Sequence, residues 1–390
     1  MEFSWAADQQ HRYDSTLAEV TRFFTRTPPS PSSGTDPQTG PEPDGFSRES
    51  WRFLGGLGVL GACVPCEYGG QGLGALDTAR VFEAVGRGCP DTGLAFAAAA
   101  HLFACLMPIV AFGSPAVRER VLPGLCSGEL VAANAMTEAE AGSDTGSLRT
   151  TATRVPDGYL LNGTKTFVSN GPVADVLVVY ATTDPEAGHW GTTGFVVDAH
   201  GAGVVAGEPF AKLGLDGCPA GTVEFRDCPV PESAVLGGPG QGAAVFQHSM
   251  GWERACLFAL YVGLQERLVD ECVAYARQRR QFGRRIAEFQ SVSNRVVDMK
   301  IRLESARLLL YRTCWEMDQG GTSGLSAALS KLAVSEAALT TAVDAVRTFG
   351  GQGFRKGFGI ESALRDSVAA TLFSGTSDIQ RQLVAIELGL

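Results

Sequence analysis

Ala135-Met136-Thr137-Glu138-Ala139-Glu140-Ala141-Gly142-Ser143-Asp144 is the stretch on which the reading of this 390-residue chain turns. It stands where a helical pattern ends and a β pattern begins. Downstream, Thr150 to Val155, Tyr159 to Val168, Val176 to Thr182, Gly194 to Val197 and Gly221 to Phe225 read as short strands, with Pro156-Asp157-Gly158 as the first turn. A second run of small and hydroxyl side chains, Asn162-Gly163-Thr164-Lys165-Thr166-Phe167-Val168-Ser169-Asn170-Gly171, lies among these strands. Hairpins with Ser/Thr turns would account for either run alone. They do not account for both in this order.

Upstream, Tyr13 to Phe24, Phe46 to Leu57 and the Ala-rich Gly93 to Ala111 read as helices. Between the first two, the segment from Thr27 to Pro43 carries six prolines, which exclude a helix and favour an extended or mobile surface loop. A docking element for a partner is the other reading of that loop. Beyond residue 235 apolar stripes return at helical spacing. Leu257, Leu260, Leu264, Leu268 and Cys272 form one, and Val292, Val296, Met299 and Leu303 the next. Leu325, Leu329, Leu332, Leu339, Val343 and Val346 form a third. The expected architecture is α+β in three domains: helical at 1–125 with the Pro-rich loop at 27–45, β at 126–235, and four-helix-bundle-like at 236–390.

With 45% hydrophobic residues the chain can bury a sizeable core, and its net charge of −10 argues against a nucleic-acid groove or an anionic membrane surface as partner. Met1-Glu2-Phe3-Ser4-Trp5 lacks the basic-then-apolar order of a signal peptide, and no apolar run reads as long enough to span a bilayer. A cytoplasmic location is expected. Ten cysteines without framework spacing read as free, mostly buried thiols. Cys63-Val-Pro-Cys66 has no second pair or nearby His, so no metal site is expected. Gly56-Leu-Gly58-Val-Leu-Gly61 fits a dinucleotide fingerprint literally, yet it follows a helical segment where that fingerprint needs a strand, and it reads as chance.

Three further motifs carry chemistry. Arg277-Gln278-Arg279-Arg280-Gln281-Phe282-Gly283, followed by Phe289-Gln290, joins guanidinium groups suited to phosphate with an aromatic suited to a base. As a bare charge run it would be a solvated helix end. Phe349-Gly350-Gly351-Gln352-Gly353-Phe354 is a Gly-rich turn that lets a ligand approach backbone. The last is Leu372-Phe373-Ser374-Gly375-Thr376-Ser377-Asp378-Ile379-Gln380-Arg381.

Taken in order, these five motifs resemble the acyl-CoA dehydrogenase family over nearly the whole chain apart from the Pro-rich loop. The resemblance implies FAD as cofactor. On it, Met136, Thr137, Phe167 and Ser169 would line the isoalloxazine, and Gly142 and Ser143 would approach the flavin or the thioester arm of the substrate. Arg279, Phe282 and Gln290, with Arg347, Gly351, Thr376 and Asp378, would hold the rest of the cofactor, largely across a subunit boundary. A homo-oligomer follows, tetramer or dimer. Phe167 stands where the family usually has Trp, Arg347 where it often has Gln, and Asp216 of Leu213-Gly214-Leu215-Asp216-Gly217-Cys218-Pro219 where it often has Arg.

Ser374 is the departure with most consequence. The family commonly has Glu before this Gly-Thr pair, as the base that takes the α-proton of an acyl thioester. Arg365-Asp366 keeps its family spacing to this point, which secures the assignment of Ser374. A serine hydroxyl is no base near neutral pH unless another group accepts its proton. Some members carry the base on another helix, just before an Arg shortly after the β domain, and Met250-Gly251-Trp252-Glu253-Arg254-Ala255 matches that place. Glu253 is therefore the candidate base, with Arg254 a candidate to position substrate. A place near a helix start would favour the carboxylate, and burial would raise its pKa. The other reading makes Glu253 a structural acid paired with Arg254 or Arg267.

Among the relatives with this combination, several act on acyl or aminoacyl groups tethered to carrier proteins in polyketide and nonribosomal peptide pathways. The resemblance thus implies FAD-dependent α,β-desaturation of an acyl thioester, on coenzyme A or an acyl carrier protein, with electron-transferring flavoprotein as the family's usual acceptor. Remote γ,δ desaturation, flavin-dependent monooxygenation and a catalytically silent flavin-bound scaffold stay open beside it.

Overall fold

The computed structural model describes residues 4–27, 35–36, 40–41, 45–321 and 324–390. Most of the Pro-rich loop lies outside them; within it, Thr35–Asp36 pairs antiparallel with Gly40–Pro41.

The N-terminal part contains helices Ala7–Arg26, Arg48–Gly56, Ala75–Gly88 and Pro115–Ser127 around a central rod from Thr92 to Phe112. Ala75–Gly88 and Pro115–Ser127 have no counterpart in the expected elements. The rod runs as α-helix over Thr92–Ala100, as π-helix over His101–Leu106 and as α-helix again over Met107–Phe112. By length and composition it could cross a membrane, contrary to the sequence reading, yet 83% of its most apolar window is buried inside the protein. A core helix passes the same test. Gly56–Gly61 closes a helix and enters a 3₁₀ turn with no strand before it, so the dinucleotide reading has no structural basis. All ten cysteines are free thiols.

The middle sheet runs in the order Val235–Leu236, Thr192–Asp198, Val176–Thr182, Thr151–Val155, Gly158–Ser169, Ala220–Pro231, Val204–Ala206. Ala132–Ala135 joins it parallel to Val176–Thr182. Alternation of side chains divides that strand between two cores. Leu177, Val179 and Ala181 fill the core of the sheet itself, whereas Val176, Val178 and Tyr180 reach into the large helical core.

Two contacts fix the helical domains to each other and to the sheet. Helices Ala75–Gly88 and Ala259–Gln278 touch backbone to backbone: a Cβ on Gly86 would lie 2.0 Å from the Leu260 carbonyl oxygen, and one on Gly263 2.1 Å from that of Glu83. Only glycine fits either place. His101, fully buried in the π segment, accepts from the Ala132 amide at Nδ1 (2.9 Å) and donates from Nε2 to the Leu125 carbonyl (3.1 Å). Burial holds it neutral, pushed down to about 3. The rod thereby anchors the strand that leads into Met136.

The C-terminal helices are Gly242–Trp252, Ala259–Gln278, Gln290–Asp318, Gly324–Phe349, Ile360–Ala370 and Ser377–Glu387. One expected stripe is turned. In Gly324–Phe349 the buried side is Ala327, Ala328, Lys331, Val334, Ala338, Thr341, Ala342 and Ala345, while Leu325, Leu332, Leu339 and Val346 are half-buried and Leu329 is exposed. Small residues let this helix sit close to its neighbours, so the bulky stripe falls on the flank.

The two signature runs meet through a buried ion pair. Lys165 Nζ, fully buried, donates to the Met136 carbonyl (3.0 Å) and to Glu138 Oε1 (2.8 Å). Glu138 also accepts from the Arg149 and Thr150 amides at 2.7 and 3.0 Å, and Thr166 N donates to the Thr137 carbonyl at 2.8 Å. Removing one member strands the other charge. Lys165→Met is expected to lower stability by about 3–5 kcal/mol, and adding Glu138→Gln to recover part of the loss, read as thermal melts of the FAD-loaded protein.

Candidate active site

Helix Gly242–Trp252 runs without a break into a π-helix, Glu253–Leu257, before Ala259–Gln278 continues the rod. Glu253 therefore lies in mid-rod, and the helix-start dipole argument made from sequence does not apply to it. A π segment widens the turn and re-aims its side chains, a device found at functional sites. Its Ala255 carbonyl is taken up by the Cys314 thiol at 3.1 Å.

Glu253 is 7% exposed, and its Oε2 accepts a hydrogen bond of 2.5 Å from the Ser374 hydroxyl. The residue at the usual base position thus touches the candidate base. Ser374 has φ +53° and Gly375 φ +87°, a left-handed turn before the last helix. Donors hold that turn from two sides: the Ser374 carbonyl accepts from Arg254 Nε (3.2 Å) and Gln380 Nε2 (3.2 Å), and the Gly375 carbonyl from Gln380 Nε2 (3.1 Å). Thr376 is used as N-cap, its hydroxyl accepting from the Ile379 amide at 3.2 Å.

Burial pushes Glu253 up to about 7; the Ser374 hydrogen bond and the Arg254 charge pull the other way. Burial lowers Arg254, and Glu253 opposes that. Arg267, the other partner considered from sequence, donates instead to the Cys89 carbonyl.

Several groups around the carboxylate were given no role by the sequence reading, because elements distant in sequence bring them together. Phe373 packs on Phe96 (4.4 Å between centroids), Phe258 (5.5 Å) and Tyr261 (6.2 Å). Trp252 stacks on Phe103 at 6.3 Å. Lys331, fully buried, holds its ammonium 5.3 Å from the Phe258 centroid; burial first, then Arg254, pushes it down to about 8 against the pull of Glu336. The apolar stripe named from sequence leaves it out.

The sequence-nominated cofactor residues form two faces. On the first, Met136 and Thr137 lie beside Phe167 and Ser169, joined by the Thr166–Thr137 backbone bond. Phe167 is 69% exposed at φ +52° and meets Phe210 edge-on at 5.3 Å. Gly142 and Ser143 are exposed nearby in sequence, and a Cβ on Gly142 would meet nothing within 4 Å. The second face surrounds the hairpin of Arg280–Gln281 and Arg284–Arg285, whose tip carries Phe282 at φ +51° and 93% exposed. Arg279, Gln290, Arg347 and Gly351 are also exposed, and Tyr275 stacked on Phe349 (4.2 Å) brings the hairpin's helix to the Gly-rich turn. Arg347 pairs with Asp344 at 3.4 Å and Asp378 with Arg381 at 3.2 Å. Among the described residues no hydrogen bond or ring contact joins the two faces. An exposed aromatic plane, open glycine backbone and clustered guanidinium groups suit a flavin ring on one face and an adenylate with its phosphates on the other.

A buried carboxylate between helical domains and an exposed face that suits a flavin are features that a flavin-dependent acyl thioester dehydrogenase requires, and the comparisons with known proteins show that class. Models of the N-terminal, middle and C-terminal domains of acyl-CoA dehydrogenases match residues 18–129, 133–228 and 240–389. The chain belongs to the acyl-CoA dehydrogenase family, and FAD is its cofactor. It is 55% identical to an L-prolyl-[peptidyl-carrier protein] dehydrogenase of Pseudomonas fluorescens over 88% of this chain and 91% of that one. The solved structure of PigA with FAD and proline superposes with a TM-score of 0.92 at 39% identity, covering all of both chains. That of the prolyl acyl carrier protein oxidase AnaB gives 0.92 at 36% identity, over 99% of this chain and 100% of that one.

A carboxylate raised from 4.5 to about 7 penalises the folded state as it ionises between those values. Glu253→Gln removes that penalty. The variant is expected to match the parent in stability at about pH 4 and below, to gain on it as pH rises from there to about 7, and to exceed it above pH 8 by about 3 kcal/mol, followed by melting temperature against pH.

Proposed function

We propose that the protein oxidises a prolyl or similarly compact aminoacyl group held as a thioester on a carrier protein, forming an α,β double bond with Glu253 as base. The observation that carries this reading is the Glu253–Ser374 hydrogen bond, which sets a buried carboxylate against the position where the family usually places its base. Glu253 takes the α-proton; Arg254 holds the Ser374 turn in place and positions substrate. FAD, when bound, supplies the acceptor for the β-hydride. Met136, Thr137, Phe167 and Ser169 line the flavin, with Gly142 and Ser143 beside the flavin or thioester arm; Arg279, Phe282, Gln290, Arg347, Gly351, Thr376 and Asp378 serve the remainder of the cofactor.

Sharing of FAD between subunits of a homo-oligomer, tetramer or dimer, is part of this reading. The exposed apolar stripe of Val297, Ile301, Leu308 and Trp315 on helix Gln290–Asp318 supports it. Its domain plan divides at 1–125, 126–235 and 236–390. The ten free thiols support a reducing, cytoplasmic setting. Electron-transferring flavoprotein or a similar acceptor reoxidises the enzyme, which serves secondary metabolism of the polyketide and nonribosomal peptide kind.

The test is anaerobic bleaching of the FAD-loaded enzyme by prolyl thioesters of a carrier protein and of coenzyme A. Bleaching is expected with the carrier-bound group; bleaching by the coenzyme A ester alone reverses the partner, and none with either removes the reading. Glu253→Gln is expected to slow bleaching roughly 10³-fold. The rate of the parent should rise with pH through about 7 as Glu253 ionises, and Ser374→Ala should move that rise to higher pH, since it deletes a donor to the carboxylate.

A further inference from the structure

Each double bond formed leaves one proton on Glu253, and the carboxylate must lose it before the next turnover. At 7% exposure that proton needs a route. Three of the groups near Glu253 offer none. Arg254 does not deprotonate. Cys105 and Tyr180, both raised by burial and by the Glu253 charge, are 1% and 0% exposed and lead inward. Ser374 differs. Its hydroxyl is 2.5 Å from Glu253 Oε2, while the residue is half-buried in a turn whose neighbour Leu372 is 59% exposed. A hydroxyl carries one proton to give and two lone pairs to receive, so it can bridge a buried acid to water.

Resting on the assignment of Glu253 as base, we infer that Ser374 is the outlet for the abstracted proton: its oxygen takes the proton from the Glu253 carboxyl while its own proton passes to solvent water. One O–H bond breaks as another forms at each oxygen, and no electrons are transferred. The two donors on the Ser374 carbonyl, Arg254 Nε and Gln380 Nε2, fix the left-handed turn so that the hydroxyl stays aimed at the carboxylate. Ser374 is thus a positioning and relay residue acting through Glu253.

The FAD-loaded enzyme and the prolyl thioester of a carrier protein are mixed anaerobically in D₂O. Flavin bleaching and the initial rate at which recovered thioester gains α-deuterium are both followed, with an enzyme-free control. Reversal of the reaction returns to substrate whatever proton sits on Glu253, so deuterium enters only when the abstracted proton has left. The parent is expected to show wash-in. In Ser374→Ala the ratio of wash-in to bleaching should fall at least tenfold, and Ser374→Cys, which keeps a transferable proton without β-branching, should raise it again. An unchanged ratio in Ser374→Ala, or no wash-in by the parent, overturns the inference. Undiminished bleaching by Glu253→Gln is a separate result, and it overturns the base assignment itself.

Discussion

A carboxylate taken out of water resists ionisation, yet a general base must ionise to work. The Ser374 hydroxyl settles this conflict in one contact, donating 2.5 Å to Glu253 Oε2 while burial holds the acid at about 7. That balance puts the base near neutral pH, where proton transfer is efficient. It also ties two distant stretches of chain, since the hydrogen bond spans 121 positions in sequence. The rod from Gly242 to Gln278 and the turn before the last helix must both be in place for it to exist.

Much of the architecture serves that placement. The Glu253–Leu257 π segment breaks helical phase where the rod passes the site, and the central N-terminal rod contains a π segment of its own at His101–Leu106. Phe103 from one meets Trp252 at the edge of the other. The close crossing of Gly86 and Gly263 sets the distance between the helical domains, and His101 sets that between the rod and the sheet. Buried polar groups of this kind are costly unless satisfied, and satisfied they fix one arrangement. Lys165 and Glu138 do the same for the two signature runs proposed to face the flavin.

Several sequence expectations failed for one reason: periodicity reports that a face is apolar and says nothing of what covers it. In helix Gly324–Phe349 the leucines were taken for the core, and the core instead received alanines and Lys331. The apolar run from Thr92 to Phe112 was passed over as too short to span a bilayer, although a rod of that length becomes an internal helix only because other elements surround it. Glu253 was placed near a helix start because it comes shortly after the β domain, whereas the rod runs straight through.

By itself the sequence determined the order of helical and β segments, the family, the cofactor and the short list holding Glu253 and Ser374, because these depend on local pattern and on motifs that keep their order. Only the tertiary structure decided that Ser374 touches Glu253, that Arg254 spends its Nε on the Ser374 carbonyl, and that aromatic side chains from two helical rods and the turn wall the site. A pKa, a burial and a hydrogen bond between residues 121 apart are properties of what surrounds a group in space. Neither composition nor spacing encodes them.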